Sequence, residues 1–186
     1  MDFQELLMIS IFIPGIVYLF NRFLLNKILS NKEKIIILKK NEYNRKEELV
    51  VSFNSNDIEI NNRIRNFLDF EDSIYKLLKK ELSEYSNIII KYGKNVDFII
   101  EYNGKRLAVE CKSSLNHLNN KQINEYFNDE KNINNLIVVS ESDIKENMKD
   151  DLICKYSNLG KNFRIIDNFN KEVEKKLILE IKNILI

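Results

Sequence analysis

The sequence is poor in the residues on which many familiar sites depend. It has four Gly and one Pro among 186 residues, and neither G-x-G-x-x-G nor G-x-x-x-x-G-K occurs, which excludes the usual glycine-rich phosphate loops. The two cysteines, Cys111 and Cys154, are too few for a disulfide framework or a four-cysteine zinc site, and they favour a reducing compartment. With a single histidine, a Ser-His-Asp site would have to be built on His117.

Neither positive nor negative charge is in excess. Lys and Arg number 29 against 28 for Asp and Glu, so the net charge of +1 excludes a strongly basic coat or an acidic tail. Any contact with a polyanion therefore has to come from a local patch. Hydrophobic residues make up 44% of the chain, which is enough for one packed domain of ordinary size plus a tail.

The N-terminal segment, residues 1–28, differs from the rest of the chain. Residues 6–20, LLMISIFIPGIVYLF, contain no charge, and as a helix they would cover roughly 22 Å. Extension to Leu25 reaches the length of about 20 residues that a bilayer requires. Pro14 and Gly15 are tolerated in membrane helices. The pattern predicts a single-pass membrane anchor through residues 6–25.

The charges around this segment predict its orientation. Asp2 and Glu5 precede the apolar run, whereas four basic residues follow it: Arg22, Lys27, Lys32 and Lys34. The positive-inside rule then places the C-terminal domain in the cytoplasm. Two other interpretations stay open, a helix lying in the membrane interface and an apolar helix packed against its own domain or a partner.

The remaining chain divides into an ambiguous segment, residues 29–66, and a domain, residues 67–186. In the first, residues 34–38 and 49–53 have strand composition, so it is either a linker or a small hairpin. In the second, alternating apolar patterns predict the order helix, three strands, helix, strand, helix, strand, helix, which is an α/β fold. The predicted ranges are 70–82, 87–91, 96–102, 105–111, 116–127, 135–140, 143–156, 163–167 and 171–184.

Asn103-Gly104 predicts a two-residue hairpin turn, because both residues tolerate the positive φ that such a turn needs. In the resulting register Asp97 lies opposite Glu110, with Cβ atoms about 5 Å apart. Alternation gives one core face, which includes Cys111, and a second face that carries Asp97, Glu110 and Lys112. Cys154 is likewise expected on an apolar helix face.

Directly opposed like charges destabilise a hairpin, unless a cation lies between them. Hard oxygen ligands of this kind suit Mg²⁺ or Mn²⁺. Lys112 follows on the same face, where its ammonium could orient a water or stabilise growing negative charge. The alternative is a solvated outer sheet face whose charges have no role in binding.

Asp97 followed by Glu110-Cys111-Lys112 on an apolar strand, LAVECK, resembles the PD-(D/E)XK nuclease superfamily. With the flanking helices, residues 67–168 are similar to Mrr-type restriction endonucleases and archaeal Holliday-junction resolvases. The resemblance implies a restriction-endonuclease-like core, a central mixed sheet flanked by helices. It also implies Mg²⁺- or Mn²⁺-dependent hydrolysis of phosphodiester bonds, with DNA as the expected substrate rather than RNA.

Residue by residue, the resemblance implies that Asp97, Glu110 and the backbone carbonyl of Cys111 bind the metal. Lys112 would be the catalytic lysine, Glu71 an additional acidic residue and Gln122 a helper on the second helix. Two further functional interpretations stay open, an inactive nuclease fold that binds nucleic acid or a protein, and a homodimer that brings two sites together. A basic rim would be formed by Lys79, Lys80, Lys91, Lys94, Lys112 and Lys121.

Overall fold

A computed structural model of the chain describes residues 33–40, 45–115, 118–128 and 133–186. The predicted membrane anchor, residues 6–25, and His117 lie outside these residues. No helix in the described ranges combines the length and apolar character that a bilayer crossing needs. The described residues divide into two compact units, one that includes residues 33–38 and 48–63 and another that includes residues 39–40, 45–47, 64–115, 118–128 and 133–186.

The ambiguous segment contains two strands, β1 (Glu33–Lys40) and β2 (Arg45–Ser52), which pair in a sheet of their own. The first helix, α1 (Asp57–Glu81), begins well before the predicted residue 70 and runs across residue 67. Its start is fixed by a capping box, in which the Asn56 side chain accepts from the Glu59 amide at 2.9 Å and the Glu59 side chain accepts from the Asn56 amide at 3.1 Å. Apolar periodicity missed this start because buried residues begin only at Phe67.

The larger unit contains a five-stranded mixed sheet in the spatial order β3-β4-β5-β6-β7. Strands β3 to β5 pair antiparallel, whereas β5, β6 and β7 are parallel. The order of helices and strands in this unit is the predicted one. Its remaining elements are β3 (Ile89–Tyr92), β4 (Phe98–Tyr102), β5 (Lys105–Lys112), α2 (Asn120–Phe127), β6 (Asn135–Ser140), α3 (Glu146–Asn158), β7 (Asn162–Ile166) and α4 (Lys171–Leu185).

Helices cover both faces of this sheet. On one face, α1 and α4 pack through residues such as Ile74 and Ile181 onto the core face predicted for the hairpin, which includes Cys111. On the other face, α2 and α3 pack through residues such as Ile123 and Tyr156. The central strands are therefore apolar on both sides, as parallel strands between helical layers usually are. Cys111 is buried as expected, but Cys154 is exposed, so the expectation of an apolar environment for Cys154 was wrong.

The β4–β5 hairpin has the predicted register. Asn103 and Gly104 have φ values of 48° and 80°, the left-handed pair that a two-residue turn of this kind requires. Tyr102 pairs with Lys105, and Phe98 pairs with Val109 at the other end. Continuing this register by one residue brings Asp97 opposite Glu110.

Candidate active site

Asp97 and Glu110 are buried at the open end of the β4–β5 hairpin. Only 4% of Asp97 and none of Glu110 is exposed, and the neighbouring Ile99 and Ala108 on the same face are also buried. The alternative of a solvated outer sheet face is therefore wrong, because α2 and α3 cover that face. Burial of two opposed acidic residues is costly, and such residues are retained where they have partners or bind a cation.

Hydrogen bonds across the hairpin hold both carboxylates in place. The Asp97 amide donates to Glu110 Oε2 at 3.2 Å, and the Cys111 amide donates to Asp97 Oδ2 at 2.7 Å. Each acidic side chain thus contacts the backbone of the opposite strand. This exchange fixes the positions of both carboxylates, which is the rigidity that a binding site needs.

Lys112 completes the cluster. Its ammonium lies 2.8 Å from Glu110 Oε1, and only 12% of the Lys112 side chain is exposed. The same ammonium lies 5.6 Å from the centre of the Tyr126 ring, which belongs to α2. A lysine held between a buried carboxylate and an aromatic face keeps its position far better than a surface lysine.

The donor set fits a hard divalent cation. Each carboxylate oxygen carries two lone pairs, so an oxygen that accepts one hydrogen bond can still bind a metal. Among the residues that the structure describes, no three His, Cys, Asp or Glu side chains meet as a metal-binding group. Two carboxylates with water and a backbone carbonyl are the kind of ligand set that Mg²⁺ accepts, since it keeps much of its hydration shell. The Cys111 carbonyl as a third ligand stays a prediction.

The two predicted helper residues lie on the helices on either side of the sheet. Glu71 is half-buried on α1, but it does not join Asp97 and Glu110 in a metal-binding group. Gln122 is half-buried in the first turn of α2, where its side-chain oxygen accepts from the Asn119 amide at 3.2 Å in a capping box. Gln122 is also one turn from Tyr126 and therefore shares the α2 face that contacts Lys112. Their functional roles stay predictions.

Three further residues surround Lys112 that sequence reasoning did not assign to the site. The ring of Tyr126 faces the Lys112 ammonium. Ser140 is fully buried and pairs with Lys112 across β5 and β6, so the two side chains share a face. The Glu141 amide donates to the Lys112 carbonyl at 3.2 Å. Because the carboxyl ends of parallel strands meet at one edge of a sheet, the positions of Ser140 and Glu141 near Lys112 could have been predicted from the sequence.

Ionisable groups continue along this edge of the sheet. Neighbouring atoms desolvate the Glu141 carboxyl and raise its pKa, although the residue as a whole is exposed. After β7, burial alone would raise the pKa of Asp167, but hydrogen bonds from Lys149 and the Ile144 amide lower it below the usual value. The Lys149 ammonium lies 2.8 Å from Asp167 Oδ1.

The cluster combines three features within one hairpin end: two buried carboxylates, a lysine fixed beside one of them, and an edge of the sheet where ligands commonly bind in α/β proteins. Such a group can bind a divalent cation and an anionic ligand together. Neither the protein-family models nor the curated proteins with which the chain was compared match it.

Proposed function

We propose that the chain is a nuclease with a restriction-endonuclease-like core, which hydrolyses phosphodiester bonds of nucleic acid, DNA rather than RNA, with Mg²⁺ or Mn²⁺. The observation that carries the proposal is the burial of Asp97 and Glu110 at opposed positions with the Lys112 ammonium 2.8 Å from Glu110. A hairpin selected for stability alone would have an apolar or oppositely charged pair at this position.

In this proposal each residue of the cluster has a distinct task. Asp97 and Glu110 would hold the metal, which when bound polarises the phosphodiester and acidifies a water molecule. Lys112, held by Glu110 and the Tyr126 ring, orients the attacking water and stabilises the negative charge that grows on the phosphate oxygens. The hydrogen bond from the Cys111 amide keeps the Asp97 carboxylate turned toward β5.

We also propose that the chain is anchored in a membrane and forms a homodimer. Residues 6–25 would anchor the chain in the membrane as a single span, with the nuclease domain in the cytoplasm. Two copies in a homodimer would place two sites on one duplex. Resistance of the full chain to carbonate extraction from membranes would support the anchor, and its release into the soluble fraction would contradict it.

A cleavage assay tests the proposed activity. The full chain is incubated with supercoiled plasmid and with single-stranded DNA, in Mg²⁺, in Mn²⁺ and in EDTA. We expect nicking or linearisation only with metal, and Asp97→Asn should remove it because one ligand oxygen loses its charge. A chain that binds DNA but does not cut it with either metal would support the inactive nuclease fold instead.

A further inference from the structure

A group of aromatic rings lies at the β3 edge of the sheet, close to Asp97. The rings of Tyr75, Tyr92 and Phe98 have centroids 5.4 to 5.7 Å apart in every pairing. Phe98 is buried, Tyr75 is half-buried, and 62% of Tyr92 is exposed. The outermost ring is therefore supported by two rings behind it, which fixes its orientation without covering its surface.

Backbone contacts place this group at the same end of the sheet as the proposed catalytic cluster, although the ring of Phe98 and the carboxylate of Asp97 lie on opposite faces of the sheet. Tyr92 pairs with Phe98, the residue after Asp97, and the Gly93 amide donates to the Asp97 carbonyl at 3.3 Å. The Cα atoms of Tyr92 and Asp97 are consequently within about 10 Å of each other. Desolvation of the hydroxyl raises the pKa of Tyr92, with smaller effects of Tyr75, Asp72 and Asp97 in the same direction and an opposing effect of Lys79.

Two lysines lie near these rings. The Lys79 ammonium lies 4.8 Å from the centre of the Tyr75 ring, and Lys94 is exposed in the turn between Tyr92 and Asp97. The nearby acidic residue Asp72 forms an ion pair of 2.6 Å with Lys76, which offsets its charge. Cations beside an exposed aromatic face are complementary to a nucleotide, which has both a phosphate and a flat base.

We infer that Tyr75, Tyr92 and Lys79, here called the aromatic patch, bind an unpaired base and its phosphate in a single-stranded DNA segment that passes the end of the sheet where the cluster lies. The inference rests on the proposed function, since it specifies which substrates that site would accept. Bases of an intact duplex are stacked on each other, so only an unpaired base can lie on the Tyr92 ring. Aromatic stacking with a basic flank is how proteins bind single strands without sequence preference.

Binding is tested with the full chain in EDTA, so that cleavage cannot interfere. Anisotropy of a fluorescein-labelled dT20 strand and of a blunt duplex of the same length gives the two affinities. We expect tighter binding of the single strand. Tyr92→Ala should weaken dT20 binding by roughly 5- to 100-fold, the usual effect of removing one stacking ring, with a much smaller change for the duplex. Tyr92→Phe keeps the ring and should stay within about twofold of the wild type.

The other end of β4 offers a matched control. Tyr85 and Tyr102 also form a ring pair, with centroids 6.0 Å apart, and the Lys182 ammonium lies 5.3 Å from the Tyr85 ring. This second tyrosine–lysine group is near the hairpin turn, far from Asp97. Tyr102→Ala should therefore leave dT20 affinity unchanged, although it removes a comparable contact from the fold.

A second measurement separates stacking from folding. A dT20 strand with one 2-aminopurine should lose fluorescence on binding to the wild type and to Tyr92→Phe, but not to Tyr92→Ala, and thermal unfolding shows whether each variant is folded. Equal dT20 affinity of a folded Tyr92→Ala, a preference for blunt duplex, or self-association through β3 without DNA binding would overturn the inference. Cleavage in Mg²⁺ is scored separately. If DNA is cut and Tyr92 has no effect on binding or cutting, only the inference about the aromatic patch is contradicted. If binding depends on Tyr92 but no DNA is cut, only the proposed nuclease activity is contradicted.

Discussion

The two ends of the β4–β5 hairpin differ in the charges of the residues that lie opposite each other. Near the turn, Glu101 is opposite Arg106, with 2.9 Å between the Arg106 Nε and a Glu101 oxygen, and Lys91 of β3 adds a second cation at 3.2 Å. At the open end, two acids face each other, and both are buried. The turn end has the charge pattern of a stable sheet, and the open end has the pattern of a binding site.

The comparison shows why charge identity alone says little about a strand residue. Glu101 and Glu110 are both glutamates of the same hairpin with a cation nearby, yet only Glu110 is fully buried and is opposite another acid. A partly exposed pair of opposite charge contributes a fraction of a kcal/mol and needs no further explanation. Burial of two opposed acids carries a desolvation cost, which is why a binding role is proposed for Glu110 and not for Glu101.

The largest expected difference between the two ends is catalytic. Glu110→Gln should reduce metal-dependent DNA cleavage about a thousandfold or more, because a bound metal contributes several kcal/mol of transition-state stabilisation. Glu101→Gln, the matched control at the turn end, should stay within about twofold. Initial rates on plasmid DNA measure both. Similar losses in the two variants would show that the proposed site is misplaced.

The second difference is in stability. Lys112→Met removes the ammonium that lies 2.8 Å from the buried Glu110 carboxylate, and it should lower the free energy of unfolding by about 3 kcal/mol at pH 7 in EDTA. Arg106→Met breaks a partly exposed pair and should cost about 0.5 kcal/mol. Urea unfolding of both variants gives the two values. If the turn-end variant were the less stable one, the assignment of the two ends would have to be reversed.

The ion pair between Lys149 and Asp167, after β7, is intermediate between the two ends of the hairpin, because its charges are opposite but largely buried. The pKa of Asp167 is lowered in the folded chain, so its stabilising contribution is present above the unfolded pKa near 3.8 and disappears as pH falls through the folded value. Asp167→Asn should cost about 2 kcal/mol at pH 7 and progressively less below pH 4. Denaturant unfolding between pH 7 and pH 2.5 measures this difference, and a constant cost over that range would contradict it.

The smallest effect is that of the metal on the folded state. A bound ion at ten times its dissociation constant should stabilise the wild type by about 1.4 kcal/mol, or a rise in Tm of a few degrees. Asp97→Asn should lose this rise, whereas Glu101→Gln should keep it. Calorimetry with Mg²⁺ and with EDTA makes the test, and an equal rise in Asp97→Asn would place the metal elsewhere.

The register of the β4–β5 hairpin and its opposed acids could be predicted from the sequence because one dipeptide determines them. Asn103-Gly104 allows a two-residue turn, and a turn of known length sets every pair along the hairpin. The core face followed from alternation in the same way. Burial of the second face did not, because Ile99 and Ala108 are too few apolar positions to show that helices cover it.

Helix starts that depend on one capping side chain, and contacts that depend on helix packing, were not predicted from the sequence. Asn56 begins α1 through its side chain, in a segment whose own residues are mostly exposed and give no apolar period. The cap of α2 is Asn119, and the sequence alone does not single it out, because several residues able to cap a helix follow each other there. The position of Tyr126 beside Lys112 depends on how α2 packs on the sheet, which no local pattern specifies.

The Asn103-Gly104 turn lies roughly 20 Å along the strand from Asp97, yet it decides which side chains meet there. One residue inserted at the turn would shift the pairing by a single position and rotate the acidic residue of one strand to the opposite layer of helices. The length of this connection therefore sets which side chains are paired at the far end of the hairpin. A loop far from both carboxylates thus determines whether Asp97 and Glu110 face each other.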